Sequence, residues 1–333
     1  MPDAAVQCSA IIVNYNGGDD LLGCLETLER QISTRVEVII VDNRSTDGSI
    51  DRAANAFPDA RIVRSPTNLG FAGGCNRGAR EAHGDVLLFL NPDVLLDATC
   101  VARLCERLRT HPGVAGPKLF IEASGDCEYG VALDLVGFPI GLRKPGKPLY
   151  VAGCALATDR ETFSLLGGFD ERYFMIYEDA DYCWRALLAG RDVTVVAQSD
   201  TVHKGGGSTP GGYVREGRRE VSAFRLPLFE RNRLATLLKC APAMWLVFAV
   251  PACVFSSLVI TGWAYTRGER ALARSIAAGV AWNARQLKTT LQMRRSTPLA
   301  TSRRGAIRRR IVGQLDAVMS VFRHGPPQLV KAA

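Results

Sequence analysis

Four short runs of β-branched and aliphatic residues alternate with helical patterns through the first 90 residues. The runs read AIIVNY (10–15), VEVIIVD (36–42), ARIVRS (60–65) and DVLLFL (85–90). The segments between them carry apolar or small residues at helical spacing, which predicts one helix between each pair of strands. Strands that alternate with helices in this way form parallel sheets through crossover connections. The sequence therefore predicts a doubly wound α/β sheet.

Polar residues follow three of these predicted strands at the point where each strand ends. The first strand runs into NYN, the second into DNRSTDGS and the fourth into NPD. Each of these would be an ordinary turn or helix cap by itself. The carboxyl ends of parallel strands meet at one edge of a sheet, however, and ligands of such sheets bind there. The pattern predicts a ligand crevice lined by Asn14, Asn16, Asp42, Asn43, Asp47, Asn91 and Asp93.

Three carboxylates, Glu178, Asp179 and Asp181, lie within four residues at the start of a predicted helix. Capping of the helix accounts for one or two of them, because acidic side chains favour a first turn. The third indicates a site that binds a cation or a hydroxyl, or that moves a proton. An ion pair between Asp181 and Arg185, one turn further on, is the structural alternative.

The chain is less regular after residue 110. Residues 113–120 predict a further strand, residues 127–150 a loop-rich antiparallel stretch, and residues 192–197 another strand. The segment 203–219 is too rich in Gly to hold one shape unaided, and it is typical of a mobile flap.

Cysteine usage and charge indicate where the protein works. The ten cysteines lie in apolar surroundings without a C-x-x-C pair, as in a protein of a reducing compartment. The N-terminus lacks the basic and apolar regions of a secretory signal, so we expect a cytosolic protein. Residues 267–333 hold 14 Lys and Arg against two acids, whereas residues 1–266 carry a net charge of −4. The basic character is therefore a property of the tail.

No charged residue occurs between Cys240 and Thr266, a stretch of 27 residues. It is long enough to cross a bilayer, but Pro251 near its middle favours a kink or two short helices. A single crossing would also separate the basic tail from a cytosolic domain, against the preference of basic flanks for the cytoplasm. We expect a shallow hairpin or interfacial insertion, with the tail on anionic lipid. A buried helix pair of a soluble domain is the alternative, and nucleic acid is disfavoured as a partner of the tail.

Six blocks of the sequence follow one another in the order IIVNYN (11–16), VDNRSTDGS (41–49), NLGFAGGCNRGA (68–79), LNPDV (90–94), GGFDERYFMIYEDADYCWR (167–185) and HKGGGS (203–208). In these blocks and their order the chain resembles the family 2 glycosyltransferases of the GT-A fold, in particular their bacterial rhamnosyltransferase-like branch. The resemblance implies a Rossmann-like, mostly parallel α/β sheet flanked by helices, and the apolar stretch adds a C-terminal membrane-associated helical segment. We expect a GT-A domain over 1–220, an apolar, membrane-associated helical segment over 221–266 and a basic tail over 267–333.

The resemblance implies a divalent cation, Mg²⁺ or Mn²⁺, on the diphosphate of a nucleotide-sugar donor. Asp93 matches the last acid of the family's D-x-D motif and is the expected main metal ligand. Asn91 departs from that motif, since it stands where the family has its first Asp, and its amide can still coordinate or hydrogen-bond ribose. His203 matches the His of the family's H-x-G-G block and is the expected second ligand.

Further donor contacts follow from the same resemblance. Asp42 corresponds to the acid that holds the base or ribose of the nucleotide. Gly73, with Gly70 and Gly74, is expected at a helix start where backbone comes close to the donor, and Arg77 is expected to face the diphosphate. Tight packing of this helix on the sheet is the alternative for the glycines. The remaining expected donor contacts are Asn14, Asn16, Asn43 and Asp47.

Asp179 matches the family's general base, which takes the proton from the acceptor hydroxyl. Burial and the neighbouring acids Glu178 and Asp181 would raise its pKa toward neutrality, which suits that role. Asp181 is the second candidate for the base.

The resemblance as a whole implies an inverting, metal-dependent glycosyltransferase that uses a dTDP- or UDP-sugar. The branch implies rhamnose, and the apolar segment implies a lipid-linked or other envelope glycan acceptor. We expect the enzyme at the cytoplasmic face of the cell membrane as a peripheral or monotopic protein. The alternatives are a soluble glycosyltransferase acting on a protein or small molecule, and a nucleotide-sugar-binding protein without catalysis.

Overall fold

The central feature of the fold is a single mixed β-sheet. A computed structural model describes residues 7–205, 214–215, 218–298, 310 and 328–330 of the chain. The strands of this sheet are β1 (Cys8–Asn14), β2 (Val36–Asp42), β3 (Arg61–Arg64), β4 (Val86–Leu90), β5 (Val94–Leu96), β6 (Gly113–Ile121), β7 (Asp126–Glu128), β10 (Ala155–Asp159) and β11 (Asp192–His203). Their order across the sheet is β3-β2-β1-β4-β10-β6-β11-β5, with β7 paired to β6.

The first half of the sheet is parallel, as its alternation with helices predicts. β1 pairs in parallel with β2 and β4, and β2 pairs in parallel with β3. β10 then runs antiparallel to β4 and β6, while β6 and β11 are parallel over most of their length. A short antiparallel hairpin, β8 (Val131–Leu133) and β9 (Pro139–Gly141), lies in the loop-rich stretch.

Helices cover both faces of the sheet, so that its strands are apolar throughout. Along β1, Ile11 and Val13 belong to the core on one face, whereas Ala10 and Ile12 belong to the core on the other. The prediction of a mostly parallel α/β sheet flanked by helices is thus confirmed. These helices are α1 (Asp20–Glu29), α2 (Ser49–Ala56), α3 (Gly70–Glu81), α4 (Cys100–Thr110), α5 (Arg160–Leu166) and α6 (Glu178–Leu188).

Four further helices follow the sheet domain: α7 (Arg225–Cys240), α8 (Ala243–Thr266), α9 (Arg270–Arg285) and α10 (Leu287–Ser296). α7 packs against α6, and α8, α9 and α10 each contact α7. Part of the region predicted as a basic tail is therefore helical. The division of the chain into three domains stays a prediction. A small sheet of β12 (Val214–Arg215), β13 (Arg218–Ser222) and β14 (Gln328–Val330) completes the described elements.

Residues 240–266 do not form the expected hairpin or two short helices, because α8 is one continuous helix that includes Pro251, whereas interfacial insertion stays a prediction. A proline inside a helix removes the hydrogen bond to the carbonyl four residues earlier, here that of Val247. Both residues lie on the exposed side of α8, where this loss disturbs no packing. In the described part of the chain, α8 is the one helix long and apolar enough to cross a membrane. Most of the predicted flap, residues 206–213 and 216–217, lies outside the described residues.

Candidate active site at the carboxyl edge of the sheet

Asn14 and Asp42 end β1 and β2 side by side, since they are partners in the register of the two strands. Asn14 donates from Nδ2 to the hydroxyls of Ser45 and Ser49, each at 3.0 Å. Within the described residues its Oδ1 is buried without a hydrogen-bond partner. Because a buried polar atom without a partner is costly, this oxygen is a candidate to receive a donor group of a ligand.

The loop after β2 is held by its own polar side chains. Oδ1 of Asp42 accepts from the backbone N–H of Ser45 at 2.8 Å, and Oδ2 faces Nη1 of Arg64 at 3.4 Å. Asn43 donates from Nδ2 to the carbonyl of Gly70 at 2.9 Å, which ties this loop to the start of α3. The crevice that the sequence predicts at this edge therefore has ordered walls.

Asn16 and Asp47 connect the loops after β1 and β2. Asn16 has a left-handed backbone (φ 53°), and its Oδ1 accepts from the N–H of Thr46 at 2.8 Å. Asp47 accepts from the N–H of Gly18 at 2.8 Å. Burial raises the pKa of Asp47, but hydrogen bonds from Ser49 and Gly18 outweigh it and leave that pKa below its usual value. Both side chains therefore accept hydrogen bonds from backbone N–H groups of the neighbouring loop.

The start of α3 is occupied by protein groups. Gly70 has φ +70°, and a Cβ there would overlap the backbone of Phe174. The N–H of Gly70 donates to the side chain of Asn68 at 2.8 Å, and the N–H of Ala72 donates to the carbonyl of Phe174 at 3.1 Å. A helix start whose N–H groups are taken in this way binds an anion less readily.

Further along α3, the glycines favour the packing alternative. A Cβ on Gly74 would lie 2.5 Å from the side chain of Val13, and one on Gly73 would lie 2.9 Å from Leu69 of the preceding turn. Arg77 is half-buried and directs Nη2 to the carbonyl of Arg64 at 3.4 Å, so it lies near the end of β3. A contact of Gly73 or Arg77 with a donor stays a prediction.

Asp93 and His203 lie together because their strands pair. β5 begins directly after Asp93, and its first residue, Val94, is the partner of His203 in β11. Nε2 of His203 lies 3.4 Å from Oδ2 of Asp93, and both side chains are about nine-tenths buried, with 11% and 10% exposure. Burial raises the pKa of Asp93, but the hydrogen bond and charge of His203 outweigh it, so that pKa lies below its usual value. Asp93 is therefore ionised at neutral pH.

Asn91 connects this pair to α6. The backbone N–H of Asn91 donates to the carbonyl of Cys154 at 2.9 Å. Gly153, the residue before Cys154, donates from its own N–H to Oδ2 of Asp179 at 2.8 Å. The turn before β10 thus reaches the end of β4 and the start of α6 at once. This places Asp93 and Asp179 on the same edge of the sheet.

Glu178 and Asp179 both have a raised pKa. Burial, and after it the charge of Asp179, raises the pKa of Glu178 well above its usual value. Burial also raises the pKa of Asp179, although the N–H groups of Gly153 and Ala180 lower it in part. Asp179 is partly exposed, whereas Glu178 is 6% exposed and has an oxygen, Oε2, without a partner among the described residues. Asp179 is therefore the acid of this pair that an incoming group can reach.

Asp181 lies away from this surface, in a buried ion-pair network. Its Oδ2 accepts from Nε of Arg185 at 2.8 Å, and its Oδ1 lies 2.8 Å from Nζ of Lys239 on α7. Its side chain has 0% exposure. The arrangement favours the structural alternative for Asp181, which is the ion pair with Arg185.

Glu128 joins the site although no sequence motif points to it. It ends β7, and a Cβ on Gly141 of β9 would overlap its carboxylate. Burial raises the pKa of Glu128 to about 7, and the charges of Asp179 and His203 act on that pKa in opposite directions. Glu128 therefore lies within electrostatic range of both. Its place on a short irregular strand explains why periodicity did not indicate it.

Comparisons with known proteins agree with this geometry. The family model described as Glycosyl transferase family 2 matches residues 9–160. The chain is 28% identical over 236 residues to the N-acetylglucosaminyl-diphospho-decaprenol L-rhamnosyltransferase of Mycobacterium tuberculosis. The aligned region covers 60% of this chain and 76% of that relative.

Two solved structures share the fold. One is the mannosyltransferase PcManGT of Pyrobaculum calidifontis in complex with GDP-Man and Mn²⁺, with a TM-score of 0.50, 18% identity and coverage of 89% of this chain and 86% of that one. The other is GalNAc-T7 with UDP, GalNAc and Mn²⁺, with a TM-score of 0.57, 17% identity and coverage of 71% and 48%. At such identities the likeness concerns the fold alone. This likeness shows that the chain has the GT-A fold, and the family model identifies residues 9–160 as a match to glycosyltransferase family 2.

Proposed function

We propose that the chain transfers a sugar, with inversion, from a nucleotide-diphosphate donor to a lipid-linked or polysaccharide acceptor of the cell envelope. The observation that carries this proposal is the shared edge of the sheet. Asp93 lies there 3.4 Å from His203, and the turn at Gly153 and Cys154 bonds both to Asn91 and to the accessible carboxylate of Asp179. Asp93 is suited to binding a cation, and Asp179 is suited to accepting a proton. Rhamnose is the first candidate sugar, because the mycobacterial relative is a rhamnosyltransferase.

Asp179 acts in this proposal as the general base for the acceptor hydroxyl. A raised pKa makes a carboxylate a stronger base, while the N–H of Gly153 at 2.8 Å keeps it oriented. The protonation of Glu178 is linked to that of Asp179, because a negative charge on one carboxylate disfavours a second charge on the other. Asp181 is assigned to holding α6 against α7.

The residues at the sheet edge fit a divalent cation. Asp93 and His203 supply one carboxylate oxygen and one imidazole nitrogen, side chains that face each other from paired strands. In the ranges that the structure describes, three or more His, Cys, Asp or Glu do not cluster as a metal cage. A two-ligand site is what Mg²⁺ or Mn²⁺ uses when diphosphate oxygens and water complete its shell. Such an ion would neutralise charge on the leaving diphosphate.

The nucleoside of the donor is assigned to the crevice between β1 and β2. Among the described residues, Oδ1 of Asn14 is without a hydrogen-bond partner, and Oδ2 of Asp42 faces Nη1 of Arg64 at 3.4 Å. These oxygens can accept from a nucleobase or ribose, and a dTDP- or UDP-sugar offers both kinds of donor. The other residues assigned to donor binding are Asn16, Asn43, Asp47, Gly73, Arg77 and Asn91.

The exposed side of α8 motivates the lipid-linked acceptor. Met244, Phe248 and Phe255 are 82%, 76% and 68% exposed, and large apolar side chains continue this stripe along the helix. Contiguous apolar surface of this kind marks an interaction site. Arg267 and Arg270 follow α8 and are exposed, as suits an anionic lipid surface.

The opposite side of α8 favours an orientation parallel to the membrane. Nε1 of Trp245 donates to the carbonyl of Leu135 at 2.8 Å, and its ring lies 5.8 Å from that of Trp184 on α6. Near the middle of α8, Ser257 donates to Glu230 of α7 at 2.5 Å. A helix held to the protein along its length lies in the interface more readily than it spans a bilayer. We therefore place the enzyme on the cytoplasmic membrane face as a peripheral or monotopic protein.

Membrane binding by α8 predicts a specific loss. Phe248→Glu combined with Phe255→Glu should weaken binding to phosphatidylcholine–phosphatidylglycerol vesicles at least about tenfold, because the burial of two apolar rings is lost. Flotation of the purified variants measures this. The matched control is Ile32→Glu with Leu165→Glu, two exposed apolar residues elsewhere on the surface. If the Phe248/Phe255 variant floats as well as the control variant, membrane binding does not depend on α8, and the alternative of a soluble enzyme is favoured.

A panel of nucleotide sugars tests the donor. We expect dTDP- or UDP-sugars with Mn²⁺ or Mg²⁺ to raise the melting temperature by several degrees, because ligand at about 100 times its Kd adds about 2.7 kcal/mol. dTDP-rhamnose should then support transfer to N-acetylglucosaminyl-diphospho-polyprenol. Donor binding without turnover on any acceptor would favour the non-catalytic alternative, and the absence of any shift would contradict the proposal.

A further inference from the structure

The loop that leads into Asp179 has an unusual backbone. Phe174, Ile176 and Tyr177 have φ of 65°, 71° and 72°, in the left-handed region that side chains disfavour. The N–H of Met175 donates to the carbonyl of Tyr173 at 2.8 Å, which closes a γ-turn. A residue with a side chain is strained in this region, and the conformation persists only where the surroundings impose it. Something outside the loop must therefore hold it.

Asn232 of α7 supplies that hold. Its Nδ2 lies 3.0, 2.9 and 2.7 Å from the carbonyl oxygens of Tyr173, Met175 and Ile176. The residue has 0% exposure, so these bonds do not compete with water. Its Oδ1 accepts from Nε of Arg231 at 2.8 Å, which orients the amide with its N–H groups toward the loop.

Neighbouring residues of α7 act on the same loop. Arg231 donates to the carbonyls of Arg172 and Tyr173 at 3.0 and 2.8 Å. The hydroxyl of Thr236, one turn after Asn232, lies 2.9 Å from that of Tyr173. A single helix thus fixes the loop through its carbonyls and through its buried tyrosine.

We propose that Asn232 is a positioning residue for Asp179: its amide fixes the loop 173–177 and so sets where the base meets the acceptor hydroxyl. The inference rests on the proposed function, in which Asp179 is that base. It gives α7, which lies outside the matched family region, a direct part in the chemistry. A displacement of about 1 Å at a reacting group costs about 100-fold in rate, so the orientation of this loop matters.

Asn232→Ala is the first test, with dTDP-rhamnose as donor and dTDP release as the readout. We expect kcat to fall about 10- to 100-fold, with the donor KM unchanged within about twofold, because the donor crevice lies on other loops. The matched control is Asn283→Ala on α9. Asn283 is also buried, and it donates to the backbone carbonyls of Arg231 and Gly279 at 2.9 and 3.0 Å. Its loss would loosen the packing of α9 on α7, but in the described residues it removes no hydrogen bond to the loop 173–177 itself. An equal fall of kcat in both variants would overturn the inference.

A double-mutant cycle separates positioning from general structure. In an Asp179→Asn background, Asn232→Ala should lower kcat no further, because the group it positions is gone. A full additional fall would mean that Asn232 acts elsewhere and would overturn the inference. Unchanged kcat in Asn232→Ala would do the same, while Asp179→Asn alone decides the proposed function.

Thr236→Val covers the case in which Asn232→Ala does not fold. The substitution is nearly isosteric and removes only the hydroxyl that faces Tyr173. We expect a smaller fall of kcat, about three- to tenfold, again without a change in donor KM. Wild-type kcat in a folded Thr236→Val would then count against the role of α7.

Discussion

Asp179→Asn should lower the turnover number about 1,000-fold while the protein still binds its donor. The amide keeps the size of the carboxylate and cannot accept the proton of the acceptor hydroxyl, and general base catalysis contributes about 100- to 10,000-fold. Steady-state kinetics with dTDP-rhamnose measures the loss, and the donor-induced thermal shift measures binding. The pH profile gives a second readout: because burial raises the pKa of Asp179, wild-type kcat should rise with pH through a midpoint above the usual value of about 4.

The control for this substitution is Asp59→Asn. Asp59 is exposed in the loop before β3, at the opposite edge of the sheet. The two variants undergo the same chemical change, so a difference between them reflects position. If Asp179→Asn retains wild-type turnover, Asp179 is not the base and the assignment of the acceptor side fails.

Asp93→Asn should abolish the response to metal and lower transfer at least about 100-fold. The substitution removes the charged oxygen of the pair with His203, and the ion it would hold contributes several kcal/mol by stabilising the leaving diphosphate. The readout that does not need turnover is the thermal shift produced by Mn²⁺ together with UDP. We expect that shift in the wild type and its disappearance in the variant.

Asp97→Asn is the matched control, four residues along the chain. Asp97 accepts from the N–H groups of Thr99 and Asp200 at 2.8 and 2.7 Å, so it holds the turn before α4 against β11. It should lower stability without changing the response to Mn²⁺. A wild-type response in Asp93→Asn would remove the metal from the proposal and leave the donor crevice intact.

The sheet could be predicted from the sequence because its strands are local signals. β1 and β4 are continuous apolar runs, and the polar residues after them fall at the carboxyl edge by topology alone. The positions of Asn14, Asp42 and Asp93 at this edge could be predicted in this way, and their neighbours in space follow from strand order. Periodicity and turn chemistry are sufficient for this part of the site.

Other features depend on contacts between distant segments, which spacing does not reveal. Glu128 reaches the site only because β7 pairs with β6, and Asp181 is neutralised by Lys239 on a helix that follows much later. α8 continues through Pro251 because that residue lies on the exposed side of the helix, a fact that packing decides.

The carbonyl of Phe174, which accepts from the N–H of Ala72, ties the loop before α6 to the first turn of α3 through one backbone bond. Gly70 leaves room for that carbonyl, so a side chain at this position would displace the loop 173–177. Engineering of a new sugar preference should therefore vary the rim of the crevice and spare residues 68–72. Libraries that randomise that segment should lower kcat, because they would displace the loop that leads into Asp179.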